Sequence, residues 1–145
     1  MGLVPYFLWY GKKGNEYMNE IIVIGGGASG MMAAITAAEA GSQVLLLEQK
    51  EIPGKKLMMT GNGRCNFTNT NQSPNDYRGT DPDFAWQVLR HFTYQDTLRF
   101  FMKLGIYSRN RNGYLYPYSD QAVSVVEALK LELRRLGVEI RTGCA

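Results

Sequence analysis

Ile21-Ile22-Val23-Ile24 is a wholly apolar, β-branched run, the pattern of a strand buried on both faces in a parallel sheet. Three glycines follow, and Ala28-Ser29-Gly30 leads into Met31 to Ala40. That Ala- and Met-rich stretch predicts a helix stopped by Gly41 in a left-handed cap. Gln43 to Glu48, with Val44-Leu45-Leu46-Leu47 at its centre, predicts a second strand. Strand, glycine turn, helix and strand make a compact βαβ unit.

From Glu51 to about Asn75 the periodicity stops, and Gly, Asn, Thr and Lys predict a long ordered loop of the kind that is usually functional or disordered. Asp83 to Leu104 reads as two helices broken near Thr93, with Gly105 as the stop, and Arg109 to Tyr118 as turn-rich and aromatic. Ser119 or Asp120 is then placed to cap an amphipathic helix, in which Val123, Val126, Leu129, Leu133 and Leu136 fall at helical spacings. Gly137 ends it, and Val138-Glu139-Ile140-Arg141 predicts a further strand, so the sheet is expected to be unfinished at Ala145.

Residues 1–18 stand apart. Gly2 to Tyr10 is apolar but short, contains Pro5, and has its lysines after the apolar run. A secretory signal has the opposite polarity, and a membrane span takes about twenty apolar residues. The expectation is a poorly ordered extension, with Met18 a candidate for the natural start.

Composition and charge add little. Hydrophobic residues at 45% and charged residues at 20% are a globular balance. The net charge of +3 comes from 16 basic and 13 acidic residues with no basic stripe, so no nucleic-acid partner is expected. Two cysteines, one histidine and no Cys-x-x-Cys leave no zinc or iron–sulfur framework; no metal is expected, and a reducing cytoplasm is the expected location.

The candidate chemistry begins at Gly25-Gly26-Gly27-Ala28-Ser29-Gly30, a G-x-G-x-x-G at Gly25, Gly27 and Gly30. The first glycine permits the tight turn, the second lets a pyrophosphate approach the backbone, and the third lets helix and strand pack closely. The helix start then offers N–H groups and a positive dipole end to the phosphates. Alone the motif is weak, but here it follows a strand, opens a helix and has Glu48 18 residues after Gly30. That is close to the spacing of about twenty for the carboxylate that binds the ribose hydroxyls. A dinucleotide site on a Rossmann-like α/β sheet is the reading, with residues 53–118 as a loop and helical insertion between the second and third parallel strands and 19–145 as the domain.

A nicotinamide and a flavin dinucleotide share that fingerprint. The second candidate segment is Gly54-Lys55-Lys56-Leu57-Met58-Met59-Thr60-Gly61-Asn62-Gly63-Arg64-Cys65-Asn66-Phe67-Thr68-Asn69. Its glycines expose N–H groups to the edge of a flavin, Arg64 and the lysines offset negative charge, and Asn66 both donates and accepts. A glycine–asparagine loop that merely turns a corner accounts for the residues equally well.

The combination resembles the HI0933-like flavoproteins, also called the YhiN or BaiN family of NAD(P)/FAD-dependent oxidoreductases. The resemblance rests on Ile22 to Gly30, on Gly54-Lys55-Lys56-Leu57, on Thr60 to Asn69 and on Tyr116-Pro117 with Ser119-Asp120, and runs from about Asn19 to Ala145. It implies an FAD-binding fold completed by segments late in a longer chain, with a second domain inserted. Carried over by position, Gly25, Gly27, Ala28, Ser29 and Gly30 would hold the pyrophosphate. Glu48, with Gln49 beside it, would hold the ribose, and Lys56 and Thr60, Gly61, Asn62, Gly63, Arg64, Cys65 and Asn66 would serve the flavin. Asn62 stands where many members of that family have glycine. NAD(P)H as electron donor and a small organic substrate are implied in the same way.

Cys65 lacks a neighbouring cysteine, so a packing or flavin-edge role is expected rather than a redox disulfide. His91 is expected to be structural, and the alternation of Tyr114, Tyr116 and Tyr118 to be strand packing rather than a substrate wall. Two other functions compete with the oxidoreductase: a noncatalytic dinucleotide-binding module, and a flavin-free NAD(H) dehydrogenase.

Overall fold

The computed structural model describes residues 6–13 and 16–144, with side chains from residue 21 onward. In chain order the elements are β1 (Tyr6–Lys13), β2 (Glu16–Ile24), α1 (Ala28–Glu39), β3 (Gln43–Leu47), α2 (Lys55–Met58) and β4 (Thr68–Asn69). After a 3₁₀ turn at Pro74–Asp76 come α3 (Pro82–Leu89), α4 (Tyr94–Lys103), β5 (Ser108–Arg111), β6 (Tyr114–Pro117), α5 (Ala122–Arg135) and β7 (Glu139–Arg141). They fall into two compact units: residues up to 59 with 126 onward, and residues 60–125.

The first unit is the expected α/β layer. β2, β3 and β7 are parallel neighbours, in register from Glu20↔Gln43 to Ile24↔Leu47 and from Leu45↔Glu139 to Leu47↔Arg141. Val23, Val44 and Leu46 from the sheet, Met31, Ala34 and Ile35 from α1, and Val126, Leu129 and Leu133 from α5 are all buried. Each large aliphatic side chain so buried contributes about 1.5–3 kcal/mol. α1 ends as its sequence requires, Gly41 standing at φ +90° with its N–H on Ala38 O.

Part of the expected extension, residues 1–18, falls among the described residues. Residues 6–13 and 16–18 belong to β1 and β2, which pair antiparallel from Tyr6↔Val23 to Lys13↔Glu16. The run Tyr6-Phe7-Leu8-Trp9-Tyr10 has the aromatic composition that favours strands, and β2 offers it an open edge. Residues 1–5 and 14–15 lie outside the described residues.

The second unit, 60–125, begins and ends seven residues later than the expected insertion of 53–118. Gly54 N–H donates to Gly26 O (2.7 Å), which holds the segment before residue 60 in the first unit. Inside 60–125, the stretch read as loop and turns is a three-stranded antiparallel sheet in the order β4-β6-β5. The helical reading holds here: Thr93, at the expected break, is the N-cap of α4, its Oγ1 and the Asp96 carboxylate forming a capping box. The cap expected of Asp120 is not made. Its carboxylate takes Arg109 and Arg111 instead, Ser119 Oγ accepts from Gln121 N–H (3.3 Å), and the first N–H of α5, on Ala122, donates to Gly63 O (2.8 Å).

Candidate functional site

The glycine turn lies at the C-terminal end of β2, where open α/β sheets place their ligands. Gly25 leaves the strand at φ +99°, with its N–H on Leu47 O at 2.7 Å. Gly27 is the N-cap residue of α1, and no side chain caps that helix. Its first-turn N–H groups, on Ala28, Ser29 and Gly30, therefore have no intrahelical acceptor. A Cβ on Gly30 would stand 1.8 Å from Gly25 O, so only glycine lets the helix start this close to the strand end. A Cβ on Gly27 would meet nothing within 4 Å; it would project into the open space beside the bare helix start. That space, fringed by amides and the positive end of α1, fits the phosphates of a dinucleotide.

Glu48 follows β3 and is half-buried. Its Oε2 accepts from Gly26 N–H (2.6 Å) and its Oε1 from Lys50 N–H (2.7 Å), which fixes the carboxylate beside the turn. Each oxygen keeps a further lone pair for a ribose hydroxyl. Gln49 is exposed next to it, and Lys56 is exposed on α2. Gly26, outside the candidate set, is the hub of this arrangement. It is buried, donates to Glu48 and accepts from Gly54, and a Cβ on it would lie 3.0 Å from both Glu48 Oε2 and Pro53 Cβ. The signal in the sequence was the run of three glycines where the fingerprint asks only for the first and third.

The segment Thr60 to Asn66 lies in the second unit and has a different construction. Gly61, Asn62, Gly63 and Cys65 stand at φ +55°, +55°, +78° and +60°. Asn is the side chain that best tolerates this region, which accounts for Asn62; Cys65 there is a strained residue of the kind that clusters at functional sites. The turn is closed by Cys65 N–H on Thr60 O (3.0 Å) and by Arg64 N–H on Gly61 O (3.2 Å). It is tied to the small sheet by Phe67 N–H on Leu115 O (3.0 Å), while the Asn66 amide donates to Thr68 O (2.9 Å) and Leu115 O (3.2 Å). Asn62 and Gly63 are exposed, so the tip of this loop presents the backbone of Gly63 alongside the Asn62 amide.

Cys65 is fully buried, and both it and Cys144 are free thiols. Burial pushes the Cys65 thiol above its ordinary value, against a hydrogen bond with Thr60 that lowers it. A protonated, enclosed thiol is a poor nucleophile. Among the described residues no group of His, Cys, Asp and Glu could hold a metal ion. His91 is exposed just beyond α3.

The tyrosines require a correction. The buried residues of β6 are Leu115 and Pro117, whereas Tyr114 and Tyr118 are 50% and 65% exposed. The pairings Arg109↔Tyr116 and Arg111↔Tyr114 put both arginines on the tyrosine face. Arg109 lies 4.4 Å from the Tyr118 ring centroid, and Arg64 and Arg111 lie 5.6 and 5.7 Å from that of Tyr116. Asp120 Oδ2 accepts from Arg109 (3.2 Å) and Arg111 (2.5 Å), while its Oδ1 is buried with no partner among the described residues. An unsatisfied buried acceptor costs roughly 1–3 kcal/mol.

Known proteins similar to this chain share most of its length. Residues 19–145 match the HI0933-like protein Rossmann domain. The chain is 56% identical over 128 residues to a 3-dehydro-bile acid delta(4,6)-reductase of Clostridium scindens, covering 87% of this chain and 31% of that protein. It is 37% identical over 123 residues to a ribosomal RNA dihydrouridine synthase of Escherichia coli, covering 84% of this chain and 30% of that protein. It thus spans about a third of the length of these curated relatives. The crystal structure of Thermovibrio ammonificans THI4 is similar in fold, with a TM-score of 0.54 at 15% identity, over 84% of this chain and 37% of that one. Among the described residues no helix is long and apolar enough to cross a membrane.

Proposed function

The chain belongs to the HI0933-like family, and from that premise we propose that it forms the FAD-binding segment of a flavin-dependent oxidoreductase. The observation that carries the reading is the uncapped start of α1 beside a glycine turn, with Glu48 held at its side by Gly26 and Lys50. The N–H groups of Ala28, Ser29 and Gly30 take the pyrophosphate, and Gly27 keeps their approach clear. Glu48 accepts from the ribose hydroxyls, and its charge opposes a 2′-phosphate at that position. Gln49 flanks the ribose, and Lys56 adds positive charge. The exposed backbone of Gly61 to Gly63 and the side chains of Arg64 and Asn66 serve the flavin ring. When bound, the isoalloxazine supplies hydride or electron transfer.

For the whole protein the reading extends to NAD(P)H as the electron source and to a small organic substrate. The similarity to a 3-dehydro-bile acid reductase supports an apolar substrate of that kind.

Titration of FAD onto the folded full-length apoprotein tests the binding half, followed by quenching of flavin fluorescence and by absorbance near about 450 nm. Saturable binding that weakens about tenfold in Glu48→Ala is expected, the loss of a charge-assisted hydrogen bond being worth that much. A folded chain that leaves FAD fluorescence unchanged would refute it. For the substrate, NAD(P)H oxidation by the full-length enzyme with a 3-dehydro-bile acid is the expected outcome; dihydrouridine formation in ribosomal RNA instead would overturn that half alone.

A further inference from the structure

On the exposed face of β5 and β6 we propose an oxyanion site, independent of the flavin, in which Asp120 is a resident counter-ion that an incoming carboxylate or phosphate displaces. Arg109 and Arg111 stand on one sheet face and converge on a single oxygen, Asp120 Oδ2. Two guanidinium groups carry ten N–H donors between them, five each, and this arrangement engages few of them. Both side chains are 37% exposed, so the remaining donors are open to a ligand. Tyrosine rings stacked on Arg109 and Arg111 hold them in place while leaving their charge available.

Asp120 is badly served where it sits. One oxygen is shared by two cations, the other is shut away from any donor, and the residue is held at φ +53°. A ligand oxyanion that spans the two forks gains bidentate geometry that a single shared oxygen does not provide. The face thus carries two cations against the carboxylate of Asp120. The half-exposed Tyr114 and Tyr118 supply flat apolar surface beside the charge. The ligand class is therefore an organic oxyanion with a planar or apolar body.

The test uses the whole chain and three probes without adenine: inorganic phosphate, phenyl phosphate and benzoate. Binding is followed through the Nε–H resonances of Arg109 and Arg111 and through tyrosine fluorescence. The ring-bearing probes should bind more tightly than inorganic phosphate, and the tighter of phenyl phosphate and benzoate identifies the anion the site prefers. Asp120→Asn removes the competitor and should raise affinity about fivefold, the scale of an exposed ion pair. Arg109→Gln and Arg111→Gln should each lower it by a similar factor, and Arg111→Lys, which keeps the charge but loses the fork, should recover only part. The proposal is overturned if no probe moves the two arginine resonances, or if Asp120→Asn weakens binding in a chain whose circular dichroism is unchanged. Because no probe is a dinucleotide, a negative result here leaves the FAD titration untouched, and the reverse also holds.

Discussion

The two glycine turns of this chain, 25–30 and 61–65, use the residue for opposite reasons. In the first, past Gly25 with its φ of +99°, the limit is space. Gly26 and Gly30 have no positive φ, yet a Cβ on either would run into Glu48, Pro53 or the carbonyl of Gly25. In the second the limit is conformation. Four of the five residues from 61 to 65 have positive φ, two of them not glycine, and Gly63 has open space where a Cβ would go. A space-limited turn fails by displacement of what it packs against, here helix α1 and the Glu48 carboxylate. A conformation-limited turn fails by unwinding, and it tolerates side chains that accept the left-handed region, as Asn62 does.

Substitution should separate the two. The largest effect belongs to Gly30→Ala, whose Cβ meets backbone 1.8 Å away. A loss of about 3 kcal/mol in urea denaturation is expected, with FAD binding abolished. Gly61→Ala combines both limits, with φ +55° and a Cβ 2.6 Å from Asn66 N. It should cost about 2 kcal/mol. The sharpest pair comes next. Gly63→Ala should cost about 1 kcal/mol through backbone conformation alone. Gly27→Ala should change stability by less than about 0.5 kcal/mol while lowering FAD affinity about tenfold, since its methyl group enters only the open space proposed for the phosphates. If Gly27→Ala unfolds the chain and Gly63→Ala does not, the distinction is wrong.

The smallest effect lies outside both turns and calibrates them. Hydrogen bonds from Thr93 and Arg99 hold the Asp96 carboxyl at about 2 against an ordinary 3.8. A lowered value means that the charged form stabilises α4 above the ordinary pKa and that this contribution fades as pH falls from about 3.8 to about 2. Amide exchange at the start of α4 should quicken across that window and show no such step in Asp96→Asn, with 25–30 and 61–65 unaffected.

Legibility in the sequence followed how local each feature is. The βαβ unit was readable because Ile21 to Glu48 carries its own periodicity, turn and stop signals, and Glu48 has a fixed offset from Gly30. The α3–α4 break at Thr93 was readable for the same reason. The small sheet was not. β4 has two residues, β5 reads Ser-Arg-Asn-Arg, and Thr68 finds its partner Leu115 only through the fold. That distance also hid the fate of Asp120, which looked like a cap because its arginine partners lie on a strand the pattern did not announce. Gly26 is invisible to the fingerprint, which names the residues that face a ligand and says nothing of those that brace them.

The bond from Ala122 N–H to Gly63 O has a mechanical result. One carbonyl in the left-handed loop satisfies the opening amide of α5, which has no acceptor inside its own helix, so lifting the loop tip strips that amide of its partner. The solvent exchange of a single proton, on Ala122, then clocks the opening of the segment proposed for the flavin.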